Sequence, residues 1–278
     1  LMILFAVIAL ILFYLLKKAN NNTKDVVINK VKINEHANHP KLHILHLSDL
    51  HLENISISPT DLYEKLKDEP IDLIALTGDF LDRKRTIPKL IPYLKVLNQL
   101  QAKHGMYAVL GNHDYVLRGQ NLQELIDLLK QNNCKVLQNE HDAIWADGYP
   151  VNIIGIDDFS TKKSNLEASY NGIKHGINLV LTHDPNIVLH MKNYHFDYLL
   201  SGHFHGGQIC YPKAYHLMKM GQLARMNIIK GLQEQDGKPY YISEGLGQTG
   251  VNIRIGSRPE ITLHELPLCD KNKAVVAI

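Results

Sequence analysis

The chain has 278 residues, 45% of them hydrophobic and 21% charged, which is enough for one large buried core or two modest ones. A formal charge of +2 gives no broad basic field, and the sequence holds neither paired zinc-finger ligands nor a basic helix ahead of heptads, which argues against nucleic acid as a partner. Cys134, Cys210 and Cys269 form no C-x-x-C pair, which argues against a disulfide framework and fits a reducing compartment, whereas 16 histidines exceed the needs of a core and direct attention to a metal site.

Leu1 to Leu16 is an unbroken apolar run closed by Lys17 and Lys18. As a helix it reaches about 24 Å, against about 30 Å for a hydrocarbon core, and snorkelling lysines, local thinning or residues ahead of Leu1 make up the difference. Residues 1–18 are therefore expected to be a single-pass membrane anchor rather than a buried core helix. A cleaved signal peptide fits worse, because Lys-Lys-Ala-Asn offers no small-x-small cleavage site. A linker and first strand region follow over 19–40, then a catalytic domain over 41–267 and a loosely held tail over 268–278.

Within the domain, short β-branched runs alternate with amphipathic segments. Strands are predicted at 42–47, 73–77, 106–110, 151–156, 177–182 and 198–201, and helices at 59–66, 87–101, 122–131 and 186–191. Such alternation predicts an α/β fold with largely parallel pairing. Three further strands at 240–243, 252–255 and 261–266 lie between Gly-rich turns without helices, which predicts a second, mixed or antiparallel sheet packed on the first.

Chemistry-bearing residues cluster just after the predicted strands, where ligands bind in open α/β sheets. Asp49-Leu50-His51 follows the first, Gly78-Asp79-Phe80-Leu81-Asp82 the second, Gly111-Asn112-His113-Asp114 the third, His183-Asp184 the fifth and Gly202-His203-Phe204-His205 the sixth. Carboxylates, an amide oxygen and imidazoles brought together in this way need cations to neutralise them. Residues i and i+2 of an extended segment point the same way, so Asp49 with His51, and His203 with His205, are expected to reach ions together. The mixed donor set favours two divalent ions of borderline character, manganese first, with iron or zinc as alternatives. Taken singly each motif has a local explanation: Asp82 reads first as a turn or helix cap, Asp114 equally as a cap or a site residue, and Asn is a common left-handed residue.

This series of motifs resembles the calcineurin-like metallophosphoesterase superfamily over about residues 42–266. Gly202-His203-Phe204-His205-Gly206-Gly207-Gln208 and Tyr241-Ile242-Ser243-Glu244-Gly245-Leu246-Gly247 are similar more narrowly to the bacterial, membrane-associated YkuE-type branch. Glu244 and Gln248-Thr249-Gly250 depart from that branch's pattern. The resemblance implies one metal on Asp49, His51 and His205, a second on Asn112, His183 and His203, and Asp79 bridging both. Water activated between the ions would attack phosphorus in line, His113 would protonate the leaving oxygen, and Asp114 would hold the His113 ring. Arg85, Arg118 and Arg225 are available for a substrate phosphate. The branch includes general phosphodiesterases and enzymes that cleave the pyrophosphate of UDP-2,3-diacylglucosamine in lipid A biosynthesis. A membrane-proximal UDP-lipid is the expected substrate, with an envelope phosphodiester, a phosphoprotein or a non-catalytic scaffold role as alternatives. No protein partner is evident. Lys17, Lys18, Lys24, Lys30 and Lys32 follow the anchor, which places the domain on the cytoplasmic side of a bacterial inner membrane by the positive-inside rule.

Overall fold

The structure, a computed structural model, describes residues 1–33 and 39–269. The amino-terminal run forms helix α1, Met2–Asn21, which continues past the lysines and so reaches 20 residues, about 30 Å. Every large apolar side chain from Leu1 to Leu16 faces outward. With a mean hydropathy of 2.2 and 6% burial over its apolar window, α1 is not a core helix, and it is long and apolar enough to cross a membrane.

The remaining chain runs β1 Val27–Lys32, β2 Lys41–Leu47, α2 Pro59–Leu66, β3 Leu73–Thr77, α3 Ile87–Gln99, β4 Met106–Val109, α4 Gln120–Gln131 and β5 Cys134–Val136. It continues through β6 Glu140–Ala146, β7 Tyr149–Gly155, α5 Leu166–Tyr170, β8 Ile177–Leu181, β9 Tyr198–Ser201, α6 Gln222–Arg225, β10 Gly231–Gln235, β11 Lys238–Ile242 and β12 Glu260–Pro267. Ser58 starts α2 by accepting from the Asp61 N–H, with Pro59 in the first turn, where its missing N–H costs nothing.

Two mixed six-stranded sheets pack face to face, in the orders β1-β12-β2-β3-β4-β5 and β10-β11-β9-β8-β7-β6. Alternate residues of β2 fill different cores. Leu42 and Ile44 meet Ile153, Leu179 and Leu200 between the sheets, while Leu45 and Leu47 pack under α2, α3 and α4. Strands covered on both faces read as continuous apolar runs, as β3 and β8 do.

The expected second sheet is corrected in its membership. Its core is β7, β8 and β9, joined by β11, whereas β12 inserts into the first sheet between β1 and β2. Residues 252–255 form no strand, making a single bridge between Ile209 and Ile255. The edge strands β6 and β10 escaped the sequence because all but one of their residues are at least partly exposed. The predicted helix at 186–191 is a 3₁₀ segment, Pro185–His190. The tail beyond Cys269 lies outside the described residues.

The topology fixes where α1 leaves. β12 runs antiparallel to β2, with Thr262 opposite His46, and β1 starts level with Glu260. The beginning of β1, and α1 before it, therefore lies at the carboxyl end of β2. There the Arg254 N–H donates to the Ala19 carbonyl (2.9 Å), Asn20 Nδ2 to the Asn252 carbonyl (2.7 Å) and Asn22 Nδ2 to the Arg254 carbonyl (2.9 Å).

Candidate metal centre

The carboxyl ends of both sheets meet at one place, where His183 Nδ1, just after β8, lies 2.7 Å from the Thr77 carbonyl at the end of β3. A carbonyl only accepts, so Nδ1 carries the proton and Nε2 presents a lone pair. That Nε2 lies 3.0 Å from Asp79 Oδ2 and 3.2 Å from His203 Nδ1. On the other side, His51 Nε2 and His205 Nε2 face each other at 3.1 Å, with Asp79 Oδ2 3.5 Å from the first and Asp49 Oδ1 3.3 Å from the second. Three groups with metal-ligand proximity result: Asp49 with His51 and His205, Asp79 with His183 and His203, and His51 with Asp79 and His113.

Asp49, His51, Asp79, His203 and His205 all take left-handed backbone angles, with φ between 37° and 76°. The extended i, i+2 geometry expected for these pairs is therefore corrected: the strands end first, and strained turns aim the side chains inward. Asn112 is not among the left-handed residues, so the local explanation for this Asn does not apply. Its buried Oδ1 has no hydrogen-bond partner. Two glycines make room for the carboxylates, since a Cβ on Gly111 would sit 2.1 Å from Asp79 Oδ1 and one on Gly202 2.2 Å from Asp49 Oδ2.

The electrostatics fit a divalent pair. Burial opposes ionisation of Asp79, yet the charge and hydrogen bond of His183, then His51 and His113, hold it well below the usual carboxylate range. Burial lowers His205 to about 3 despite the Asp49 charge, which leaves its imidazole neutral and free to ligate. His183, although burial opposes it, is drawn to its protonated form by Asp79 and Asp49. A metal cation would replace that proton and satisfy the Asn112 oxygen, so the residues present suit the two ions that the sequence implies.

His113 stands beside this cluster, its ring edge-on to His51 at 4.8 Å between centroids. The partner of His113 corrects one expectation. Asp114 does not reach the ring: its buried carboxylate accepts from the N–H groups of Gly111 (2.9 Å), Asp79 (2.9 Å), Phe80 (2.8 Å) and Leu81 (3.3 Å), clamping two site loops together. Asp82 instead approaches His113 Nδ1 at 2.9 Å and His51 Nδ1 at 3.4 Å. Burial opposes a charge on His113, but the Asp82 contact and the Asp79 charge push its pKa up to about 9.

Arg254, which no motif singled out, is fully buried behind the site. Its Nη1 donates to the carbonyls of Glu244 (2.7 Å) and His205 (3.0 Å), and Nη2 to those of Gly247 (2.7 Å) and Gly245 (3.0 Å). Burial disfavours the charge on this guanidinium and the Glu244 carboxylate favours it, while Glu244 also pairs with Lys230 at 3.0 Å. Its departure from the expected pattern is thus accounted for by a structural partner. No sequence signal marks Arg254, because its carbonyl partners, with that of Arg258 (3.3 Å from Nη1) as a fifth, come together only in the fold.

Two cavities open on the cluster. One of about 400 Å³ holds Asp79, His113, His203 and His205 at its wall, with Val251 at its rim. The other, about 860 Å³, shares His203 and Met220 with the first and combines Phe159 and Leu189 with Lys162, Lys219 and Arg225. Of the three arginines read as phosphate candidates, Arg225 lines this space.

Fold and site together define a metal-dependent phosphoester hydrolase. The chain belongs to the calcineurin-like phosphoesterase family, whose model matches residues 42–207, a family that works with divalent metals. It is 61% identical over 267 residues to the uncharacterized metallophosphoesterase YkoQ of Bacillus subtilis, covering 95% of this chain and 99% of that one. It is 28% identical to the metallophosphoesterase YkuE of the same organism, over 70% of this chain and 68% of that one. A more distant relative is the UDP-2,3-diacylglucosamine pyrophosphatase LpxG of Chlamydia trachomatis, 26% identical over 80% of this chain and 82% of that one.

Proposed function

We propose that the protein hydrolyses a phosphodiester or pyrophosphate bond in an amphiphilic substrate at the membrane surface, using two manganese ions. The observation that carries this reading is the larger cavity: three cations and an apolar wall adjoin the ligand cluster through His203. Lys162, Lys219 and Arg225 would hold phosphate oxygens, and Phe159 and Leu189 would take an apolar portion. Asp49, His51 and His205 would hold one ion, Asn112, His183 and His203 the other, and Asp79 both. Bound there, the ions supply Lewis acidity, easing the ionisation of water and drawing charge from phosphoryl oxygens. His113, protonated and oriented by Asp82, would give its proton to the departing oxygen.

The relative LpxG makes UDP-2,3-diacylglucosamine the first substrate to try. The lysines after α1 support a cytoplasmic domain, which fusions of alkaline phosphatase and green fluorescent protein to the carboxyl end would test. The full chain, assayed in detergent, should cleave bis(p-nitrophenyl) phosphate only with metal added after chelation, manganese restoring the most activity. A panel of UDP-diacylglucosamine, glycerophosphodiesters and phosphopeptides then ranks substrates. Preference for phosphopeptides would overturn the amphiphile, and undiminished hydrolysis after Asp79→Ala with Asn112→Ala would falsify the site.

A further inference from the structure

The segment between β9 and β10 carries a second feature, outside the metal cluster. Tyr211 (82% exposed), Tyr215 (61%), Met218 (50%) and Met226 (56%) project into water, and Val251 (57%) extends the same surface. Single exposed apolar residues are ordinary, but a cluster of them is not. From Ile209 to Met226 the sequence has no Asp or Glu, while Lys213, Lys219 and Arg225 are all exposed. Aromatic and thioether side chains interleaved with cations match the headgroup layer of an anionic bilayer, where tyrosine sits at the interface and lysine meets phosphate.

The patch is continuous with the end of α1. Val251 adjoins Asn252, whose carbonyl accepts from Asn20. Gln208, which opens the segment, donates to the Val251 and Thr249 carbonyls at 3.0 and 2.9 Å. Lys17 and Lys18 close the apolar run just before Ala19, whose carbonyl accepts from the Arg254 N–H. The geometry points to a second membrane contact: residues 209–226 and Val251 dock on an anionic lipid surface, so that the metal cavity opens into the headgroup layer. This rests on α1 crossing the membrane, but not on hydrolysis. Because α1 tethers the domain, even a weak contact would be occupied.

The test uses the full chain in lipid nanodiscs. Trp145, the one tryptophan of the chain, is 71% exposed on β6 at the residue paired with Pro150 near the start of β7, the end of the sandwich opposite the site. It serves as a far-side control. In a Trp145→Phe background, Phe13→Trp reports the anchor, and Tyr215→Trp and Tyr211→Trp report the patch. Lipids brominated deep in their chains should quench Phe13→Trp, and those brominated near the headgroup should quench both patch reporters, more strongly in phosphatidylglycerol than in phosphatidylcholine. Trp145 in the natural chain should lose no emission. Quenching of Phe13→Trp without the patch reporters overturns the docking and leaves the anchor standing. Absence of quenching at every position overturns both, and equal quenching of Trp145 overturns the orientation.

Discussion

Removing the Arg254 guanidinium should destabilise the site end of the molecule more than any surface change. In Arg254→Met the packed stem is kept and the donors are lost. The His205 carbonyl still accepts from the Gln208 N–H (2.8 Å), and that of Gly245 from the Glu260 N–H (3.0 Å). The Glu244 and Gly247 carbonyls lose the donors that approach them at 2.7 Å. Two orphaned buried acceptors cost about 1–3 kcal/mol each, and the two others lose about 1 kcal/mol each. Relief from no longer burying a cation offsets part of this, for a net of about 3–5 kcal/mol. For a chain of this size that is a fall in Tm of about 10 °C. Calorimetry on the full chain in detergent measures it, with bound metal counted by mass spectrometry. We expect both to fall, because the carbonyl of His205 is held by this cation, and Arg254→Lys should recover part of each. A Met variant melting within about 2 °C of the parent would refute the account.

Asp82→Asn should lower kcat about 10- to 100-fold, as loss of an orienting partner does; Asp114→Asn should chiefly lower Tm, and the reverse pattern would return the ring-holding role to Asp114. Replacing Lys162 and Lys219 by Ser should raise KM for an anionic substrate about 10- to 100-fold with kcat little changed, and steady-state kinetics would show the contrary as equal losses in kcat and kcat/KM. The buried histidines of the intersheet core predict an acid sensitivity. Burial lowers His46 to about 3 and His264 well below its usual value, while both titrate near 6.5 once unfolded. Their folded pKa lies below the unfolded one, so stability is complete above about pH 6.5 and falls as pH drops below it, for His46 by about 2 kcal/mol at pH 5. His264→Gln, which keeps a partner for Tyr198, should flatten this slope between pH 7 and 5 in denaturant titrations, and an unchanged slope would exclude His264 as a source.

Much of the site was legible in the sequence because each chemistry-bearing residue follows a buried strand, and strands buried on both faces announce themselves as apolar runs. Asp49, Asp79, Asn112, His183, His203 and His205 could be placed just beyond the carboxyl ends of strands from that rule alone, and α1 from its unbroken apolar stretch, but not the division of those strands between two sheets. Partnership within the cluster was not legible. Asp82 and Asp114 stand three and two residues from a proposed ligand and are chemically identical. Which one meets His113 depends on how the turns after β3 and β4 cross, and neighbours in sequence carry no record of that. The extended pairing of Asp49 with His51 failed for a related reason: left-handed turns are stabilised by contacts from other loops, not by local preference. The insertion of β12 into the first sheet, the burial of Arg254 and the exit of α1 beside the metal cluster were likewise decided by tertiary structure. The strand insertion and the helix exit depend on pairing between residues more than 200 positions apart, and the burial of Arg254 on carbonyls up to 49 positions away, where the free energy of burial selects a partner that no local pattern specifies.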